Sequence, residues 1–194
     1  MNRSRWTVLV LVVLALGLSL AYGLTRSDPN TNAADLTPLI DAAQLEPCPP
    51  GLGPGFPKIT LQCLGGGPRV ALQSAVPGKP TLVNVYGSWC GPCQQEMPVL
   101  RAFYAKAKPK VGLVGIDTNE QEPAYGLRFA IAVRQHWPAL LDDTRVVGAH
   151  FAPGVPLMVF VDATGKVVHV EHRSGYKDLA ALEKDVHTYL GVTV

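Results

Sequence analysis

Two cysteines three residues apart, Cys90 and Cys93, are the residues of this chain best suited to chemistry. They enclose Gly91 and Pro92, and Trp89 precedes them. Thiols at this spacing can alternate between a dithiol and a disulfide, and a thiolate is the attacking species in that exchange. The motif therefore predicts thiol–disulfide exchange, a reaction carried by protein sulfur atoms and needing no cofactor.

The elements around the motif favour this chemistry. A β-prone apolar run over residues 81–86 leads into a helix predicted over residues 91–106, which places Cys90 at the helix N-terminus. Exposed amides and a partial positive charge at that end stabilise a thiolate, so we expect the pKa of Cys90 to fall to on the order of 7. Cys93, one turn later, can attack a mixed disulfide. We assign Cys90 as nucleophile and Cys93 as resolving cysteine.

Other uses of the motif are weaker. A disulfide closing so small a loop removes little chain entropy, so it would be a poor structural bridge. A zinc site needs four N or S ligands, yet a second C-x-x-C is missing and Cys48 and Cys63 lack the spacing. No C-x-x-C-H occurs, so covalent haem attachment is not indicated. We predict no metal site.

The remaining pattern alternates strands with helices before a hairpin and a last helix. Apolar strands with helical crossovers predict a parallel portion covered on both faces, and the hairpin at residues 162–165 adds an antiparallel edge. Further strands are predicted at residues 70–72, 111–116, 140–141, 157–161 and 166–171, and helices at residues 123–136, 144–151 and 177–190.

The run L-V-N-V-Y-G-S-W-C-G-P-C-Q-Q-E-M-P over residues 82–98 resembles the exported TlpA/ResA/CcmG-like branch of the thioredoxin superfamily. The similarity extends more loosely over residues 56–190. It implies an α/β, thioredoxin-like fold, in which a central mixed sheet is flanked by helices, and a thiol–disulfide oxidoreductase activity.

Three further site residues follow from the resemblance. Pro156 is expected to be cis and to face the cysteines, and the backbone of Val155 would pair with an extended substrate segment. The alternative is a trans proline that merely opens a strand. Leu157 stands where the family often has threonine. Trp89 would shield the site and contact partners, or serve packing alone.

Glu96 matches the acid that follows the motif in ResA-like proteins. Its implied role is proton exchange with Cys93, whose thiol must lose its proton to resolve the intermediate. Asn84 stands where thioredoxins place a buried aspartate, and an asparagine cannot take a proton. The alternative for Glu96 is a helix-surface glutamate near the helix N-terminus.

Cys48 and Cys63 lie upstream in a Pro/Gly-rich stretch. We predict a structural disulfide between them, closing a loop of about 15 residues and worth roughly 3 kcal/mol in the entropy model. The alternative is a second redox pair that relays electrons to the C-x-x-C.

The N-terminus sets the predicted location. Residues 7–24 form an apolar run that follows Arg3 and Arg5. As a helix this run would be roughly 27 Å long, close to the thickness of a bilayer core, and the two arginines hold the N-terminus in the cytoplasm.

We predict a signal-anchor or signal peptide over residues 1–25, a linker over 26–57 and the thioredoxin-like domain over 58–194. The alternative to a single-pass anchor is cleavage near Ala21. Either way we expect an extracytoplasmic domain.

Function follows from these features. The charges of the 194 residues nearly balance, 17 Lys and Arg against 15 Asp and Glu. Without a dense basic stripe, nucleic-acid binding has no support. Gly91-Pro92 resembles reducing thioredoxins, so we expect reduction of protein disulfides, with apocytochrome c as the client and a membrane thiol transporter as the electron donor that the resemblance implies. The alternatives are a disulfide-introducing oxidase and a non-catalytic module that binds a client or a metal.

Overall fold

A seven-stranded mixed sheet organises the molecule in a computed structural model that describes residues 35–172 and 174–194. The strand order is β2-β1-β5-β4-β3-β6-β7. The strands are β1 (Thr60–Cys63), β2 (Val70–Ala71), β3 (Thr81–Tyr86), β4 (Gly112–Thr118), β5 (Ala139–Asp142), β6 (Leu157–Val161) and β7 (Val167–Glu171). The helices are α1 (Thr37–Ala43), α2 (Gly91–Ala107), α3 (Pro123–Val133), α4 (Val146–Phe151) and α5 (Leu179–Leu190).

The centre of the sheet is parallel and both edges are antiparallel. Strands β3, β4 and β5 run parallel, whereas β6 pairs antiparallel with β3, and β7 pairs with β6. On the other side, β1 pairs antiparallel with β5, and β2 with β1. This mixed sheet with helical crossovers confirms the predicted thioredoxin-like α/β fold.

Alternating side chains of the sheet build two apolar layers. Leu82 and Tyr86 of β3 face the helices α2 and α5, while Val83 and Val85 face a second cluster that includes Val147 of α4. All six residues of β3 are buried, as expected of a central strand covered on both faces. Because β3 is fixed from both sides, its carboxyl end is a rigid support for the segment that follows it.

Part of the predicted linker packs as protein core, so the boundary near residue 57 differs from the structure. Residues Leu36–Val194 form one compact unit. Within it, Leu52 and Phe56 are buried against the sheet, and α1 packs near Leu127 and Ala130 of α3. Proline and glycine prevent regular secondary structure in much of this segment. Its apolar side chains can still be buried, and this burial holds the segment against the domain.

Two other elements depart from the sequence prediction by more than two residues. Strand β1 is absent from that prediction, because a strand of only four residues carries little periodicity. Helix α3 ends at Val133 rather than near His136, since Arg134 adopts a left-handed conformation with φ of 54°. The Arg134 N–H closes the helix onto the carbonyl oxygens of Ala130 and Ile131, an arrangement typical of helix C-termini.

The apolar run at residues 7–24 lies outside the described residues. Within residues 35–172 and 174–194, none of the helices combines the length and apolar character that a membrane crossing requires.

Candidate active site

The cysteine pair lies where β3 passes into α2. Gly87, Ser88 and Trp89 connect the two elements, and Cys90 is the N-cap residue of α2. Its Sγ accepts a hydrogen bond from the Cys93 backbone N–H at 3.2 Å. Cys90 and Cys93 are joined by a disulfide, with Cys90 5% exposed and Cys93 fully buried. An attacking sulfur at Cys90 would therefore have an amide donor and the positive end of a helix beside it.

The turn before β6 completes the site from the other side. The Val155–Pro156 peptide bond is cis. The carbonyl oxygen of Val155 lies 3.8 Å from Cys90 Sγ, although 65 residues separate the two in sequence. Val155 is half-buried and Pro156 is buried. The fold thus places a backbone segment directly beside the sulfur that would carry a substrate.

Glu96 is buried beneath the pair, not on the helix surface. The residue is only 2% exposed, and it lies three positions after Cys93, on the same side of α2. Its Oε1 accepts a hydrogen bond from Asn84 Nδ2 at 2.7 Å, and its Oε2 accepts one from the Tyr176 N–H at 3.3 Å. Burial raises the pKa of Glu96 from 4.5 to about 7, while the two hydrogen bonds oppose the rise. This carboxyl can gain or lose a proton near neutral pH.

A loop between β7 and α5 covers Glu96, and sequence reasoning missed it. Gly175 has a φ of +83°, and a Cβ there would lie 3.1 Å from Glu96 Oε2 and 3.2 Å from the Pro92 carbonyl oxygen. Only a residue without a Cβ brings this backbone so close in that conformation. The Ser174-Gly175 pair marks a turn, but nothing in the sequence connects it to Glu96.

Trp89 lies on the surface next to the cysteines. It is 54% exposed, and its indole N–H donates to the Thr118 carbonyl oxygen at 3.3 Å. The preceding Ser88 donates its N–H and hydroxyl to the two carboxylate oxygens of Glu120, at 2.6 and 2.9 Å. These contacts attach the cysteine loop to the end of β4. Sequence reasoning missed the Ser88–Glu120 pairing as well, because no motif joins the two residues.

A second buried carboxyl lies close to Glu120. Asp117, at the end of β4, is inaccessible to solvent, and burial together with the negative charge of Glu120 raises its pKa to about 9. Asp117 is opposite Tyr86 in the parallel register of β3 and β4. It therefore adds a neutral acid, not a charge, to the neighbourhood of the site at neutral pH.

The structure also joins Cys48 to Cys63, away from the active site. Cys63 is in β1, which is separated from β3 by β5 and β4. Its side chain belongs to the apolar layer on the opposite face of the sheet from Cys93. This placement favours the structural interpretation of the bridge over an electron relay.

Comparison with known proteins agrees with this geometry. The chain is 26% identical over 177 residues to the thiol-disulfide oxidoreductase ResA of Bacillus cereus, with 86% of each chain covered. A secreted Mycobacterium tuberculosis disulfide oxidoreductase homologous to E. coli DsbE superposes with a TM-score of 0.57 at 26% identity, covering 68% of this chain and 96% of that one. StoA from Bacillus subtilis shares the fold, with a TM-score of 0.54 at 20% identity, over 68% of this chain and 98% of its own.

The chain is a thioredoxin-like thiol–disulfide oxidoreductase. More specifically, it belongs to the Redoxin family, whose sequence profile matches residues 52–187. These findings confirm the resemblance to the ResA/CcmG-like branch.

Proposed function

We propose that this chain reduces protein disulfides outside the cytoplasmic membrane, with Cys90 as the attacking sulfur. The observation that carries the proposal is the position of Cys90 Sγ. It caps α2 through the Cys93 N–H and lies beside the Val155 carbonyl, so a bound polypeptide can present its disulfide to an activated sulfur. Val155 offers the backbone with which an extended client segment can pair.

The reaction conserves atoms and electrons in two exchange steps. The Cys90 thiolate attacks one sulfur of the client disulfide, and the other client sulfur leaves as a thiolate. Cys93 then gives up its proton and attacks Cys90 Sγ, which releases the second client sulfur and forms the Cys90–Cys93 disulfide. The client gains two electrons, and two protons complete its thiols. A donor dithiol later reduces the enzyme by the reverse route.

Glu96 is the group suited to receive the Cys93 proton. It is buried on the side of α2 that carries Cys93, and its pKa of about 7 allows it to exchange a proton at physiological pH. The Asn84 amide donates to the carboxyl and can hold it in either protonation state, because a protonated carboxyl still offers an acceptor oxygen.

The direction, client and location of the reaction are also proposals. Gly91-Pro92 between the cysteines resembles reducing thioredoxins, and the relatives named ResA support the same branch. We propose haem-site cysteines of apocytochrome c as the client and a membrane thiol transporter as the donor. The apolar run at residues 7–24, after Arg3 and Arg5, supports a tethered domain on the outer side of the membrane.

Trapping tests the mechanism. Cys93→Ser should accumulate mixed disulfides on Cys90, because the resolving sulfur is gone, whereas a Cys90→Ser, Cys93→Ser double variant should capture none. Reduction of insulin disulfides should fall to the background rate in Cys90→Ser. An unchanged rate in Cys90→Ser would show that the assignment of the nucleophile is wrong.

Two measurements test direction and location separately. Equilibration with glutathione measures the reduction potential of the Cys90–Cys93 couple, which should be near that of thioredoxin, about −270 mV. A much higher reduction potential would indicate an oxidase. A thiol reagent that does not cross membranes should label the reduced protein in intact cells. Labelling only after lysis would contradict the proposed location.

A further inference from the structure

A groove of about 390 Å³ opens beside the cysteine pair. This volume is near the lower end of ligand-binding pockets, roughly 300–1,000 Å³, and suits a few side chains of a bound segment. Its apolar wall is formed by Trp89, Pro153 and Val155, and small residues of α4 line it as well. We call it the Trp89 groove; it is lined by Trp89, Thr118, Asn119, Arg145, Gly148, Ala149, Pro153, Gly154 and Val155.

The Trp89 groove lies close to the reacting sulfur. Val155 lines the groove, and its carbonyl oxygen is 3.8 Å from Cys90 Sγ. A client chain attached to Cys90 and paired with the Val155 backbone therefore has the groove next to it. In an extended chain, side chains two residues apart point to the same side, about 6.6 Å from one another. A side chain two positions from the attacked cysteine can thus enter the groove.

The Trp89 groove has one positively charged side chain among the described residues that line it. Among the described residues that line it, only Arg145 is charged. Its side chain is exposed, and within residues 35–172 and 174–194 no carboxylate lies within ion-pair distance of it. The neighbouring Asp142 is buried, and its carboxylate accepts hydrogen bonds from the N–H groups of Val146 and Val147. Glu120 accepts hydrogen bonds from the N–H and the hydroxyl of Ser88.

We propose that the Trp89 groove selects clients by charge: Arg145 favours disulfides with an acidic residue two positions from the attacked cysteine. The inference rests on the proposed disulfide reduction and specifies its substrate class. A bound carboxylate would meet the exposed guanidinium on one side, while the aliphatic part of the client packs on Trp89. A client lysine at that position would meet a like charge.

Matched peptides test the selection. Three cystine-bridged peptides are identical except at the positions two residues before and two residues after the attacked cysteine. Both positions are Asp in the first peptide, Asn in the second and Lys in the third. The reduced full-length protein should show a kcat/KM for the Asp peptide about two- to fivefold above that for the Asn peptide, with the Lys peptide below both. The difference should lie in KM, since Arg145 does not touch the reacting sulfurs, and it should shrink with added salt.

Variants identify the residue responsible. Arg145→Ala should bring the three peptides to similar kcat/KM, and Arg145→Glu should favour the Lys peptide. Arg128→Glu is the matched control, because Arg128 is exposed on α3, does not line the groove and changes the net charge equally. This control should keep the preference for Asp.

The outcomes separate the two proposals. If Arg145→Glu keeps the wild-type order of peptides, or if Arg128→Glu reverses it, selection by the Trp89 groove is wrong while disulfide reduction stands. If the wild type reduces none of the peptides, including the neutral one, the proposed reduction fails and the selection fails with it.

Discussion

At the scale of single residues, two acidic groups respond oppositely to their surroundings. Asp162 is partly exposed in the β6–β7 turn, and hydrogen bonds from Thr164 and Lys166 lower the pKa of its carboxyl. Glu96 accepts hydrogen bonds too, but burial outweighs them and raises its pKa to about 7. Burial therefore gives Glu96 a pKa suited to proton exchange near Cys93. The same burial makes the folded state less stable whenever Glu96 is charged.

This cost predicts a pH dependence of folding stability. The folded state holds the Glu96 proton up to about pH 7, whereas the unfolded chain releases it near pH 4.5. Between these values the folded state binds more protons, so the free energy of unfolding falls as pH rises, by about 3 kcal/mol in total. Glu96→Gln removes this contribution. The free energy of unfolding of the variant minus that of the wild type should therefore increase by about 3 kcal/mol from pH 4 to pH 8.

Urea unfolding of the oxidised protein measures the effect, because the bonded cysteines do not titrate in that form. Wild type and Glu96→Gln are compared at pH 4, 6 and 8. Gln still offers an oxygen to the Asn84 amide, so this contact is preserved. A stability difference that stays constant over the range would show that Glu96 ionises in the folded protein as it does in the unfolded chain.

At the scale of elements, the loop that ends at α5 decides how tightly the site is covered. Gly175 combines a positive φ with close approach to Glu96 and Pro92, whereas Gly191, after the same helix, has a φ of +68° and nothing within 4 Å of an added Cβ. Gly175→Ala should cost about 2–3 kcal/mol, and Gly191→Ala about 1 kcal/mol, since the control carries only the backbone cost.

Thermal or urea unfolding of the two glycine variants gives the comparison. Because the Gly175 loop donates the Tyr176 N–H to Glu96, only Gly175→Ala should also slow disulfide exchange. Equal losses of stability in the two variants would mean that the close approach over Glu96 contributes nothing.

The elements also show what the sequence alone could predict. Strands β3 and β6 match their predicted bounds, because dense β-branched and apolar runs end at Gly or Pro signals. Strand β1 and the end of α3 do not match. Strand β1 is defined by its pairing with β5, which is distant in the chain, and α3 ends at Arg134, a non-glycine residue in the left-handed conformation that no sequence signal marks.

The same division holds within the site. Cys90, Cys93 and Pro156 are recognisable from local motifs and the resemblance. The Ser88–Glu120 contact spans 32 residues and the Glu96–Tyr176 contact spans 80, and no spacing rule predicts either of them. Short-range chemistry could be recognised in the sequence, whereas the partners that tune it depend on the tertiary fold.

At the scale of the whole molecule, two disulfides serve separate parts of one fold. Cys90–Cys93 is at the carboxyl end of β3, while Cys48–Cys63 attaches the N-terminal segment to β1 at the other side of the sheet. The segment carries Leu52 and Phe56 into the core. The second bridge therefore holds a part of the chain whose own helix, α1, has only seven residues and is too short to be stable alone.

Replacing both Cys48 and Cys63 by alanine should lower the free energy of unfolding by about 3 kcal/mol, the value for a loop of about 15 residues, and leave catalytic turnover intact. Urea unfolding measures the first quantity, and multiple-turnover insulin reduction, driven by a small dithiol, measures the second. A single-turnover assay of the reduced protein is the control, since it needs only Cys90 and Cys93. If multiple turnover collapses while single turnover is normal, Cys48 and Cys63 pass electrons to the active site, and their role is not structural alone.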